Sequence, residues 1–289
     1  VQNLNRRPEG RVSSRSGAAL LAAVALLAMQ VGAAPLLADS GLPSQTLRNV
    51  AGIVAHHGGR SVPVGTAFFV AVPSHVFAGR SFIYLVTAHH NLLDSSGHPA
   101  AELFLTLEDA RTGAMREEPL PPETKWILDP NNEKADIAAV PLNPERAAIA
   151  PIPIDSILSS DMEMNTLAQT GAQAYYLTAA SVGISTTRFE ALARFGRVSV
   201  ARPAESEVRH AGVQQLCFMD GGAVPAFSSG APVFVQAGLR FVLWGILESR
   251  NSASSNPMFE GLAGVLPARY VAETVKAMAA IQEKAAEGK

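Results

Sequence analysis

The chain has 289 residues, 48% hydrophobic and 17% charged, with 23 Gly, 19 Pro, a single Cys and a formal net charge of −2. That composition excludes a collagen-like repeat and wholesale disorder, because enough apolar surface is available to offset the entropy of ordering the chain. No basic excess points to a nucleic-acid partner, and one thiol permits no internal disulfide.

Arg6, Arg7, Arg11 and Arg15 precede an apolar run from Gly17 to Met29, and the small residues Val31-Gly32-Ala33-Ala34 follow. This is the layout of a secretory signal peptide. The run is roughly 13 residues, short of the ~20 that a membrane span needs, so cleavage between about Ala33 and Ala38 is expected rather than a permanent anchor. Residues 1–38 are therefore assigned to a signal and 39–47 to a short extension. The mature protein is expected to be exported, periplasmic or secreted, without an integral membrane span.

Beyond the extension the chain reads as short apolar runs punctuated by Gly, Pro, Asn and Asp. Strands are expected over Arg48–Ala55, Val64–Val72, Phe82–Ala88, Leu103–Leu107, Lys125–Leu128 and Ile137–Leu142. Pro144, Pro151 and Pro153, with the polar run Ser159-Ser160-Asp161, then mark a connection. A second series covers Ala172–Thr178, Phe195–Ala201, Gln214–Phe218, Ala231–Val235, Phe241–Leu247 and Gly261–Leu266. Two such groups predict paired β-barrels, over 48–158 and 159–266. From Pro267 onward Val271, Val275, Met278 and Ile281 recur at helical spacing, which predicts an amphipathic helix and tail over 267–289. Cys217, within Leu216-Cys217-Phe218-Met219, is expected to be a small buried hydrophobe.

Three places carry chemistry. The strand-forming run Phe82-Ile83-Tyr84-Leu85-Val86-Thr87-Ala88 ends in His89-His90-Asn91, so imidazoles emerge at a strand end. Asp136 stands immediately before the apolar Ile137-Ala138-Ala139-Val140, where a partly buried carboxylate needs a partner. Ser229 lies in a tight turn beside Gly230, just ahead of another strand. A hydroxyl is a weak nucleophile near neutral pH, an imidazole can take its proton, and a carboxylate fixes the imidazole tautomer. Base and acid belong to the first strand group and the nucleophile to the second, which predicts a site in the cleft between barrels.

With these residues in place the chain resembles the chymotrypsin-fold, trypsin-like serine peptidases of the disulfide-poor bacterial type. Leu85-Val86-Thr87-Ala88-His89-His90 is similar to that family's base-bearing strand, Asp136-Ile137-Ala138-Ala139-Val140 to its acid motif, and Phe227-Ser228-Ser229-Gly230-Ala231-Pro232 to its nucleophile motif. Val64-Gly65-Thr66-Ala67-Phe68-Phe69-Val70 and Leu243-Trp244-Gly245-Ile246 add supporting matches, so the likeness covers about residues 48–282. The resemblance implies an all-β fold of two six-stranded antiparallel Greek-key barrels with a C-terminal helix, and a cofactor-free serine endopeptidase acting on a protein or peptide. It implies His90 as general base, with His89 as the competing register, Asp136 as its orienter and Ser229 as nucleophile. The backbone N–H groups of Phe227 and Ser229 would form the oxyanion hole, and Ala223, Trp244 and Gly245 the substrate pocket. One departure stands out: Phe227 occupies a position where the family has Gly.

Two other classes are weighed against the enzyme. A non-catalytic protease-fold binding module would present the same cleft to an envelope partner, and Phe227 is its best argument. A metal site built on His56-His57 or His89-His90 is disfavoured, because adjacent residues of a strand point to opposite faces.

Overall fold

Every strand expected from the sequence has a counterpart. The computed structural model describes residues 42–57, 60–121, 123–179, 189–208, 212–221, 224–250 and 261–287. The expected signal peptide and Ala223 lie outside them. No described helix is long and apolar enough to cross a membrane.

The first sheet contains β1 (Val50–His57), β2 (Arg60–Pro73), β3 (Ser81–Thr87), β4 (Leu103–Glu108), β5 (Met115–Leu120), β6 (Ile127–Leu128), β7 (Ala138–Pro141) and β8 (Ile152–Pro153). Its strands pair antiparallel in the order β5-β4-β1-β2-β3-β7-β6, and the short β8 runs parallel to β2. Eight strands replace the expected six. Met115-Arg116-Glu117-Glu118-Pro119-Leu120 carries too many charges to signal a strand, yet as an edge it needs only one covered face. Pro153 is tolerated in β8 for the same reason.

The second sheet contains β9 (Gln173–Ala179), β10 (Ala191–Val208), β11 (Gly212–Asp220), β12 (Ala231–Ala237), β13 (Arg240–Arg250) and β14 (Ala263–Pro267). Each strand pairs with two others, in the ring β10-β11-β14-β13-β12-β9. Among the described residues two α-helices complete the fold, α1 (Asp161–Leu167) and α2 (Ala268–Glu287). The polar run expected to be a plain connection is in fact the start of α1, whose N-cap Ser160 accepts from Glu163 N at 3.2 Å while Glu163 Oε2 accepts from Ser160 N at 3.1 Å. Ser-x-x-Glu is a capping box, a signal present in the sequence. Pro267 closes β14 and α2 begins one residue later.

Strand alternation builds the core. In β2, Phe68, Val70 and Val72 face a central cluster shared by both sheets and α2, and Ala67 and Phe69 face the interior of the first sheet. In β11, Leu216 and Phe218 face the same central cluster, while Cys217 and Met219 face the interior of the second sheet with Tyr176, Val233, Trp244 and Val265. Each large apolar side chain removed from water here contributes about 1.5–3 kcal/mol. Cys217 is fully buried, bonds Ala201 O through Sγ, and has its thiol pKa pushed up to about 12 by desolvation, which leaves it inert as a nucleophile.

Candidate active site

The His-bearing strand stops at Thr87, and residues His89–Leu92 form a 3₁₀ turn that lifts both imidazoles off the sheet. Of the two, His90 lies between the acid and the hydroxyl. Its Nε2 is 2.7 Å from Ser229 Oγ, its Nδ1 is hydrogen-bonded to Asp136 Oδ2, and its backbone N–H donates to Asp136 Oδ1 at 2.9 Å. The His90 side chain keeps 17% exposure and Asp136 only 2%, so the imidazole is open toward solvent on one side while the carboxylate is sealed. His89 is half-buried beside them; burial lowers its pKa, against a smaller opposing pull from Asp136.

Asp136 is held from both sheets. It sits in the loop before β7, and its backbone N–H donates to Gln214 Oε1 of β11 at 3.2 Å, while Gln214 Nε2 donates to Lys134 O at 2.6 Å. Burial would raise its pKa, but hydrogen bonds from His90 and Glu248 and the His90 charge outweigh that and hold it down to about 2. The group is therefore a carboxylate at every pH at which an imidazole works.

Ser229 ends a 3₁₀ turn, Ala226–Ser228, and its carbonyl accepts from Thr66 N at 2.8 Å and from Asn91 Nδ2 at 2.9 Å. The nucleophile's loop on the second sheet is thereby tied to β2 and to the turn that carries His90. Gly230 is required at the next position: its φ is +83°, its N–H donates to Leu247 O at 2.8 Å, and a Cβ would lie 2.1 Å from Thr66 O. Gly230→Ala is expected to cost roughly 3–5 kcal/mol, because left-handed strain and a backbone clash add, and a thermal melt checks it. A loss under about 1 kcal/mol would mean that the loop can be rebuilt.

Residues 226–229 set the backbone next to Ser229. No described non-glycine residue has a positive φ, so Phe227 takes an ordinary helical conformation within the 3₁₀ turn. Ser228 N donates to Pro225 O at 3.0 Å and Phe227 O accepts from Thr66 Oγ1 at 3.0 Å, so this turn is fastened at both ends.

Two of the expected pocket residues are buried in β13. Trp244 lies inside the second sheet's core, and a Cβ on Gly245 would lie 2.2 Å from Leu266 O. Both are central in β13, and the strand comes close to His90 nearer its end. There Glu248 turns toward His90, with Oε2 3.9 Å from Nδ1. Sequence reasoning passed over Glu248, although an acid at the end of the apolar run Phe241–Leu247 is the same signal that picked out Asp136. Asn91, Thr66 and Gln214 carried no comparable signal.

A cavity of about 480 Å³ opens beside His89, lined by Leu92, Leu103, Leu120, Lys125 and Trp126 among others. Among the described residues the one cluster with ligand atoms close enough for a cation is His90, Asp136 and Glu248, within 4.8 Å of one another. Nδ1 and Oδ2 there are already committed to each other. His56, by contrast, stacks on Phe104 at 4.0 Å and meets Glu117 at 2.9 Å, away from this cluster. No protein-family model matches the chain, and no curated protein sequence matches it significantly.

Proposed function

We propose that the protein is an exported serine endopeptidase of the chymotrypsin-like, two-barrel Greek-key type, cofactor-free and acting on proteins or peptides. The observation that carries the reading is the continuous hydrogen-bonded relay from Ser229 Oγ through His90 to Asp136. In the proposed cycle Ser229 Oγ attacks the scissile carbonyl carbon as His90 Nε2 takes its proton. Asp136 stabilises the resulting imidazolium, and N–H groups of Ser229 and Phe227 receive the oxyanion. Collapse breaks the C–N bond, the His90 proton passes to the departing amine, and an acyl-Ser229 ester remains. Water, deprotonated by His90, then attacks this ester and releases the carboxylic acid. The cavity beside His89 would suit an apolar side chain of the substrate.

A fluorophosphonate probe tests the reading, because it bonds covalently only to a serine whose proton is being taken. Labelling of the purified protein is expected to be lost in Ser229→Ala, to fall at least 10²-fold in His90→Ala, and to survive in His89→Ala with chelator present throughout. No labelling of a folded wild type would favour the second reading, a protease-fold binding module. The observation in its favour is the 3₁₀ turn that holds Phe227 at negative φ.

A further inference from the structure

Glu248 is 1% exposed, and neither of its carboxyl oxygens accepts a hydrogen bond from a donor among the described residues. Burying a carboxylate in that state costs several kcal/mol, so the group either finds a counter-charge or keeps its proton. No Lys or Arg among the described residues forms an ion pair with it. The titratable groups that face it are Asp136, from the loop before β7, and His90, from the 3₁₀ turn. Gln214 of β11 spends its amide on the 134–136 backbone.

We infer that Glu248 is a neutral carboxylic acid that donates its proton to Asp136, and so acts as a positioning residue for the acid of the relay. Two carboxyl groups this close in a dry site cannot both ionise, and the arrangement decides which one stays charged. Asp136 has the His90 N–H and Nδ1 hydrogen bonds, which favour its anion. Glu248 has none of these; burial first, then the Asp136 charge, raises its pKa well above the ordinary value. The shared proton leaves the pair with one negative charge. That charge sits on Asp136, whose two oxygens meet the His90 backbone N–H and ring Nδ1, while the neighbouring acid helps to fix the rotation of the carboxylate. Alternation along β13 makes the contact: Leu247 points into the second sheet's core, so Glu248 points to the opposite face, where Ile246 meets the central cluster that holds Ala135 and Ile137.

The sign of the pH effect follows. An acid with a raised folded-state pKa contributes fully below its unfolded value, near pH 4.3, and that contribution is lost as pH rises toward the folded-state value. Above about pH 5 the folding equilibrium constant of the wild type is therefore expected to fall relative to Glu248→Gln, by up to about tenfold per pH unit, until the folded-state value is reached. Parallel stability curves for the two proteins would overturn the inference. Carbon NMR titration of the Glu248 carboxyl in the wild type needs no variant, and an ordinary titration near pH 4 there would overturn it equally.

Only the catalytic half rests on the peptidase reading. Glu248→Gln, whose amide can still donate to Asp136, is expected to keep the acid limb of the pH–labelling profile in place. Glu248→Ala is expected to label roughly tenfold more slowly. A downward shift of that limb in Glu248→Gln would mean that a negative charge had been removed beside His90, against the inference. A protein that never labels but shows the stability effect loses the peptidase reading and keeps the acid pair.

Discussion

Asp136→Asn is expected to lower turnover about 10⁴-fold while leaving the fold in place. The side chain is isosteric, and the bond from Asp136 N to Gln214 is a backbone contact, so the loop before β7 stays anchored to β11. The His90 N–H bond to Oδ1 also survives, because the amide oxygen still accepts. The change falls on Oδ2, which becomes an NH₂ group facing Nδ1. Two donors cannot share one hydrogen bond, so the imidazole moves its proton to Nε2, where it can no longer accept from Ser229. Steady-state kinetics on an ester substrate, with circular dichroism as the control, reads the effect. A loss under tenfold would remove Asp136 from its assigned part. The same variant carries a stability signature. Asp136 is depressed to about 2, so its contribution is present above the ordinary Asp value and is lost as pH falls through about 2. In acid the wild type should lose that increment and the Asn variant should not.

Phe227→Gly is expected to raise the labelling rate, by up to about 10²–10³-fold, the amount that one oxyanion donor is worth. Two N–H groups must converge on one oxygen, and the turn Ala226–Ser228 instead aims its bonds along its own axis, from Ser228 N to Pro225 O. Phe227 is confined to negative φ by its Cβ, whereas Gly crosses to positive φ at no steric cost. The Thr66 Oγ1 bond to Phe227 O opposes the change and sets how much is gained. An unchanged rate would mean that the turn does not limit the chemistry, and that the donors are supplied with Phe227 as it stands.

The strands were legible wherever both faces are covered, because such a strand reads as an unbroken apolar run between turn residues. Val64–Val72 and Gln214–Phe218, whose successive residues enter two different cores, are such cases. β5 was not legible, since an edge strand with Arg116, Glu117 and Glu118 has no hydrophobic period, and it exists because β4 offers it free backbone groups. α1 was legible in its capping box, but the neighbouring prolines and serines read more strongly as a connection. The first turns of the tail helix were legible because Val271, Val275 and Met278 are buried on one face, whereas Ile281, expected on that face, is exposed.

For the site, the chain by itself determined which residue types end which apolar runs. His90 after Ala88, Asp136 before Ile137 and Ser229 before Gly230 are polar groups at the ends of buried strands, and that pattern survives without coordinates. Tertiary structure alone decided between His89 and His90, because a 3₁₀ turn rotates successive side chains by about a third of a turn and only one can face Asp136. It also buried Trp244 in the second core and brought Glu248 to His90. The pairing of β13 with β12 slips between Leu243 and Gly245, which puts Leu243 and Ile246 on the central face and Trp244 and Leu247 in the second core, and the partner strand that sets this slip is not marked in the β13 residues themselves.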